Sequence, residues 1–216
     1  MLELLPGARE IVPGLWRWTA YHPAWKQDVG CVALVSDDEL VLVDPLIPDE
    51  PAWEALGRAV KGGGTSGRSL AVVLTVFWHE RSACEVLQRH PAATLWADLD
   101  ESGELACEVT NRFHPGERLP GGLEAFRTGR ARELVLWEPR TGTLIPGDVI
   151  LGTAGGALTM CPVNWLPDGM GHAGLRKELQ PLLVLPIRRV LVSHGEPVLR
   201  NAREQLARAT GGVVRS

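Results

Sequence analysis

A chain of 216 residues with 45% hydrophobic and 22% charged side chains has the composition of a soluble globular protein, which excludes a disordered chain, a coiled coil and a collagen-like fibre. Its net charge of −4 argues against nucleic acid or a membrane surface as partner, because either needs a basic excess. No apolar run approaches the ~20 residues of a membrane span. The opening segment MLELLPGAREIVPG has Glu3 and two prolines where a signal peptide would have a basic start and an apolar stretch; the expected compartment is the cytoplasm. Cys31, Cys84, Cys107 and Cys161 are scattered with no CxxC pair, so neither a disulfide framework nor a cysteine zinc knuckle is expected.

In chain order, residues 15–20 (LWRWTA) read as a first strand, and 29–36 with 40–44 as a hairpin turned at Asp37-Asp38-Glu39. Residues 51–60 form a short helix with Pro51 at a helix-start position. After the flexible turn KGGGTSG, the apolar run 70–75 (LAVVLT) has the pattern of a strand buried on both faces. A helix is expected over 81–90 and a short strand over 94–97. Strands follow at 123–127, 133–138 and 143–145, between Gly/Pro turns. The glycine-rich stretch 152–174 reads as a long loop able to cover a site. A helix over 175–185, a buried strand over 189–193 and an amphipathic helix over 197–209 complete the chain.

Four segments share one design, a buried strand ending in a polar cluster: LVLVDP with Asp44, VVLTVFWHERSA from Thr75 to Ala83, TLIPGDVI with Asp148, and RVLVSHGEP with His194. Strand ends are where α/β folds place ligand groups. Singly, such an Asp is ordinarily a turn or cap and a His-Gly a turn; their order carries the weight. That order resembles the metallo-β-lactamase superfamily across residues 10–200. The resemblance implies an α/β (α+β) fold, a four-layer αββα sandwich of two mixed sheets flanked by helices, with 1–216 as a single domain. It places the family's T-H-x-H-x-D-H motif on Thr75 to Arg81, its Gly-Asp on Gly147-Asp148, its last histidine on His194 and its intervening histidine near Arg130.

The departures from that pattern set the functional expectation. Val76 and Trp78 stand at the first two histidine positions, Glu80 at the Asp, Arg81 at the final His and Arg130 at the intervening one. Valine and tryptophan cannot ligate, and arginine stays protonated with no lone pair to give. The expectation is therefore no metal, or at most one weakly bound zinc on Glu80, Asp148 and His194, with Arg81 and Arg130 pairing with those carboxylates instead. The expected pocket comprises Asp44, His79, Glu80, Arg81, Arg130, Asp148, Trp165 and His194, with Asp148 and His194 as catalytic candidates. The preferred function is non-hydrolytic binding of a small anionic molecule. The alternative is a single-metal hydrolase of an ester or thioester using Glu80, Asp148 and His194. A third reading, an interaction module, depends on exposure of Trp16, Trp18 and Trp25. Cys161 is read as an inert thiol.

Overall fold

The computed structural model describes residues 4–99, 105–130 and 132–212. The chain divides into two compact units, Met1–His114 and Pro115–Ser216.

The first unit carries a seven-stranded sheet in simple sequence order: β1 (Arg9–Val12), β2 (Leu15–His22), β3 (Gln27–Val35), β4 (Glu39–Val43), β5 (Ser69–Val73), β6 (Thr94–Asp98) and β7 (Asn111–Phe113). The strands from β1 to β4 pair antiparallel through hairpins, and those from β4 to β7 pair parallel. Every residue of Leu40, Val41, Leu42 and Val43 is buried, the continuous apolar pattern of an inner strand. Two helices, α1 (Glu50–Lys61) and α2 (Ala83–Arg89), supply the crossovers that parallel strands require. Asp49 caps α1 by accepting from Ala52 N at 2.9 Å, with Pro51 in the first turn. Trp53, Leu56 and Ala59 of α1 and Val86 of α2 share a core with Trp18, Val29, Leu42, Val72 and Leu95 of the sheet.

The second unit is built on a four-stranded sheet of β8 (Glu124–Arg127), β9 (Leu134–Glu138), β10 (Thr143–Pro146) and β13 (Arg189–Val190), in the order β13-β10-β9-β8 with β10 and β13 parallel. A separate hairpin joins β11 (Ile150–Thr153) to β12 (Ala157–Met160). Helices α3 (His172–Leu179) and α4 (Ala202–Thr210) pack Leu175, Leu179 and Leu206 into a core with Trp137, Leu144, Ile150 and Val190.

Several expectations are corrected. The stretch 152–174 is not one long loop: it holds β12, the end of β11, a 3₁₀ turn at Val163–Trp165 and the start of α3. The helix expected from 81 starts at Ala83, because Arg81 lies in the left-handed region at φ 42°. Alpha-helix in the stretch 175–185 ends at Leu179 and passes into a 3₁₀ segment containing Pro181, which lacks the donor to continue it. The last helix begins at Ala202 rather than 197, since Val198 is bridged in extended conformation to Val190. Strands β1 and β7 have no counterpart in the periodicity. Cys84 and Cys107 are joined by a disulfide, against the expectation of none. Trp16 and Trp18 are buried at 7% and 3% exposure and Trp25 is partly buried against the same core, which removes the support for a tryptophan-lined interaction face. Among the described residues no helix is long and apolar enough to cross a membrane.

Candidate functional site

In the first unit the polar residues gather where the parallel strands β4 and β5 end. Asp44 follows β4 in a left-handed conformation, φ 48°, which an aspartate tolerates better than most side chains. Its main-chain N donates to Val73 O at 3.2 Å, so the register of β4 against β5 sets its position. Its carboxylate accepts from Thr75 N at 2.9 Å and from Thr75 Oγ1 at 2.6 Å, and lies 2.8 Å from His79 Nδ1. Asp44, Thr75 and His79 are all buried, His79 completely. A carboxylate against Nδ1 calls for the proton on that nitrogen, which places the ring's lone pair on Nε2. Such an imidazole is pre-oriented either to ligate a metal or to accept a proton.

Arg81 binds main-chain oxygens with its guanidinium. Its Nη1 donates to Asp44 O at 2.7 Å and Gly30 O at 3.1 Å, and its Cζ sits 5.7 Å from the Trp25 ring centre. Trp25 in turn stacks on His22 at 4.1 Å and leans on His79 at 5.8 Å. Glu80 faces elsewhere: its carboxylate accepts from Ala106 N at 2.9 Å and lies 3.0 Å from Cys84 Sγ. Burial pushes the Cys31 thiol up to about 11, so it is no nucleophile.

The second unit holds a second cluster. Asp148 Oδ1 is 3.1 Å from His194 Nε2, and its Oδ2 is 3.8 Å from Arg130 Nη1. Arg130 also donates to Glu133 Oε2 at 2.7 Å and, through Nε, to Trp165 O at 2.8 Å, with its Cζ 5.8 Å from the Trp165 ring centre. Glu133 is 1% exposed, and its Oε1 accepts from both Asp148 N at 2.5 Å and Val149 N at 2.6 Å. Burial first, then the negative charge of Asp148, push the Glu133 carboxyl up to about 7 despite Arg130 and the Val149 amide. Two glycines make this geometry possible. A Cβ on Gly147 would stand 2.8 Å from Glu133 Oε1, and one on Gly195 only 2.0 Å from Gly152 O. Gly152 N donates to His194 O at 2.9 Å, which fixes the turn that presents His194. Cys161, in this unit, is fully buried and its thiol is pushed up to about 11 by burial, as an inert side chain should be.

A family model described as the Metallo-beta-lactamase superfamily matches residues 10–211. The chain belongs to that superfamily. Solved structures share the fold at low identity. The enzyme TMB-1 superposes with a TM-score of 0.70 at 14% identity, covering 94% of each chain. A metallo-β-lactamase from Erythrobacter litoralis gives 0.67 at 16%, covering 94% of this chain and 95% of that one. One from Hirschia baltica gives 0.64 at 19%, covering 94% and 96%. No curated protein matches the chain.

Four side chains that the sequence resemblance sets at metal-ligand positions have no lone pair to offer a metal. Val76 is a buried aliphatic and Trp78 an indole, neither with a lone pair for a metal. Arg81 and Arg130 are hydrogen-bond donors to main-chain oxygens and, for Arg130, to Glu133. Groups able to ligate include His79 and Glu80 in the first unit and Asp148 and His194 in the second. Arg130, Asp148, His194 and Trp165 come together within the second unit, and Asp44, His79 and the backbone-bound Arg81 within the first. Sequence reasoning missed Glu133, Thr75 as a partner of Asp44, and the His22–Trp25 stack. For Glu133 a signal was present: an ionisable residue three positions after Arg130, directly before the apolar run LVLW.

Proposed function

We propose that this superfamily member has a degenerate metal centre and binds a small anionic molecule without hydrolysing it. The observation that carries the reading is the state of Asp148. Its carboxylate already lies between the His194 imidazole and the Arg130 guanidinium, and the guanidinium supplies positive charge of the kind a metal would bring. Arg130 and His194 are each 12% exposed in their side chains and Trp165 is 39% exposed, so a small carboxylate or phosphate has access to a planar donor fork beside an aromatic face.

A second reading, a single-metal hydrolase of an ester or thioester, draws support from the Asp44–His79 and Asp148–His194 pairs, which give each imidazole a carboxylate partner. Zinc bound to Asp148 and His194 would supply a nucleophilic water at neutral pH. Glu80 is less suited to help hold it, being engaged by Ala106 N.

Elemental analysis and ligand screening separate the two. Oxidised protein purified without chelator should carry well under one zinc per chain. Its melting temperature should rise with the logarithm of phosphate or small-carboxylate concentration, and Arg130→Gln should abolish that rise. Added zinc or manganese should give no turnover of model esters, thioesters or β-lactams. Metal-dependent turnover lost in both Asp148→Ala and His194→Ala would reject the binder and establish the hydrolase.

A further inference from the structure

The first unit contains a second set of metal-ligating atoms that the reading above does not use. Glu80 and Cys84 flank the start of α2, where the left-handed turn at Arg81 lets their side chains meet. Glu80 Oε1 lies 3.0 Å from Cys84 Sγ, while its Oε2 accepts from Ala106 N at 2.9 Å and so draws the neighbouring Cys107 to the same spot. Cys107 is joined to Cys84 by the disulfide. One carboxylate oxygen and the two sulfurs all lie within 4.8 Å of one another. A tetrahedral zinc with Zn–S near 2.3 Å and Zn–O near 2.0 Å requires sulfurs about 3.8 Å apart and S···O about 3.5 Å. The stretch around Cys107 has no regular secondary structure, so a small separation of the sulfurs disturbs no strand or helix.

We propose that Glu80, Cys84 and Cys107 form a redox-gated site for a thiophilic divalent cation such as zinc, closed while the cysteines are joined and open once they are reduced. A dithiol reductant opens it: two electrons pass to the Cys84–Cys107 bond, two thiols form, and the reductant leaves as its own disulfide. The cation then displaces one proton from each thiol and takes Glu80 as third ligand, with water in the fourth position, a three-ligand pattern common for zinc. Arg81, next in sequence to Glu80, directs Nη1 to Gly30 O and Asp44 O. In a reducing compartment the pair is a ligand set, and in an oxidising one a staple. This site is independent of the anion-binding reading, since neither its ligands nor its chemistry involve Asp148 or His194.

The test uses the full chain and cobalt(II) as probe. A water-soluble phosphine reduces the disulfide, taking oxygen from water to become its oxide, and avoids adding a competing thiol. Reduced protein should bind one cobalt with a thiolate-to-cobalt charge-transfer band, displaced by zinc, whereas oxidised protein should show no such band. Cys84→Ser should lose the band. Glu80→Gln should keep it with affinity weakened at least tenfold. Zinc should also protect both thiols of the reduced wild-type chain from alkylation, a readout that needs no variant. No band in reduced protein, no protection by zinc, or unchanged affinity in Glu80→Gln would overturn the proposal. Zinc retained in Cys84→Ser but lost in Asp148→Ala would assign it to the hydrolase's residues and overturn the proposal.

Discussion

Glu133 offers the sharpest test of the electrostatics in the second unit. Its carboxyl titrates near 7 in the folded chain against an ordinary 4.5. Between those values the folded state keeps a proton that the unfolded state has lost. The contribution of Glu133 to stability is then greatest below about 4.5 and declines as pH rises towards 7, because the native state holds that proton more tightly. The difference of roughly 2.5 units corresponds to about 3 kcal/mol. Glu133→Gln removes the titration while keeping an oxygen for Asp148 N and Val149 N, which Oε1 now serves at 2.5 and 2.6 Å. It also turns an amide NH₂ towards Arg130, losing the 2.7 Å bond at a cost of roughly 1–3 kcal/mol. The variant should therefore be the less stable protein at pH 4.5. Its deficit should shrink by about 3 kcal/mol by pH 8, so that the two stability curves converge or cross. Urea denaturation of both proteins at several pH values measures this, and groups common to both cancel in the difference. Parallel curves across the range would refute a carboxyl destabilised by burial and by Asp148.

The two close-approach glycines should differ in what an added methyl group costs. Gly195→Ala meets the main chain of Gly152 at 2.0 Å and also strains a φ of +85°, so it should cost more than ~4 kcal/mol or prevent folding. Gly147→Ala meets chiefly the Glu133 side chain at 2.8 Å and should cost about 1–3 kcal/mol; denaturant midpoints giving the reverse order would contradict the placement of both turns.

The sequence was most informative where apolar runs are unbroken. Leu40 to Val43 and Leu70 to Val73 are buried inner strands, and the polar groups after them, Asp44 and Thr75, do meet at the sheet's end. What periodicity could not show was partner choice. For Arg81, pattern could not show that a left-handed backbone brings Nη1 to the carbonyls of Gly30 and Asp44. Glu133 precedes a strand and has no spacing rule linking it to Asp148. Its pairing depends on the absence of a side chain at Gly147. The Cys84–Cys107 pairing spans 23 residues, a separation over which local pattern does not encode contact. Short strands such as β7, with three residues, fall below the length at which alternation can be recognised.

His79 is the residue whose chemistry depends most on one neighbour. Asp44 holds it through Nδ1 at 2.8 Å while Thr75 holds Asp44 twice, so the imidazole, fully buried, is fixed in tautomer as well as position. Asp44→Asn preserves shape and can still accept from Thr75 N, but it presents NH₂ where Oδ2 stood. An NH₂ group donates, so Nδ1 must become the acceptor and the ring proton must move to Nε2. The expected stability loss is about 1–2 kcal/mol, because the main-chain bond to Thr75 survives while the Thr75 hydroxyl, which donates to Oδ2, loses that acceptor. Asp44→Ala instead strips both Thr75 and His79 of their partner and should cost about twice as much. Nitrogen-15 NMR of the imidazole reads the tautomer directly: Nδ1 protonated in the wild type, Nε2 protonated in Asp44→Asn. A ring with the same protonated nitrogen in both proteins would show that Asp44 does not set it. In that event His79 would be a packed side chain, not an oriented ligand or base.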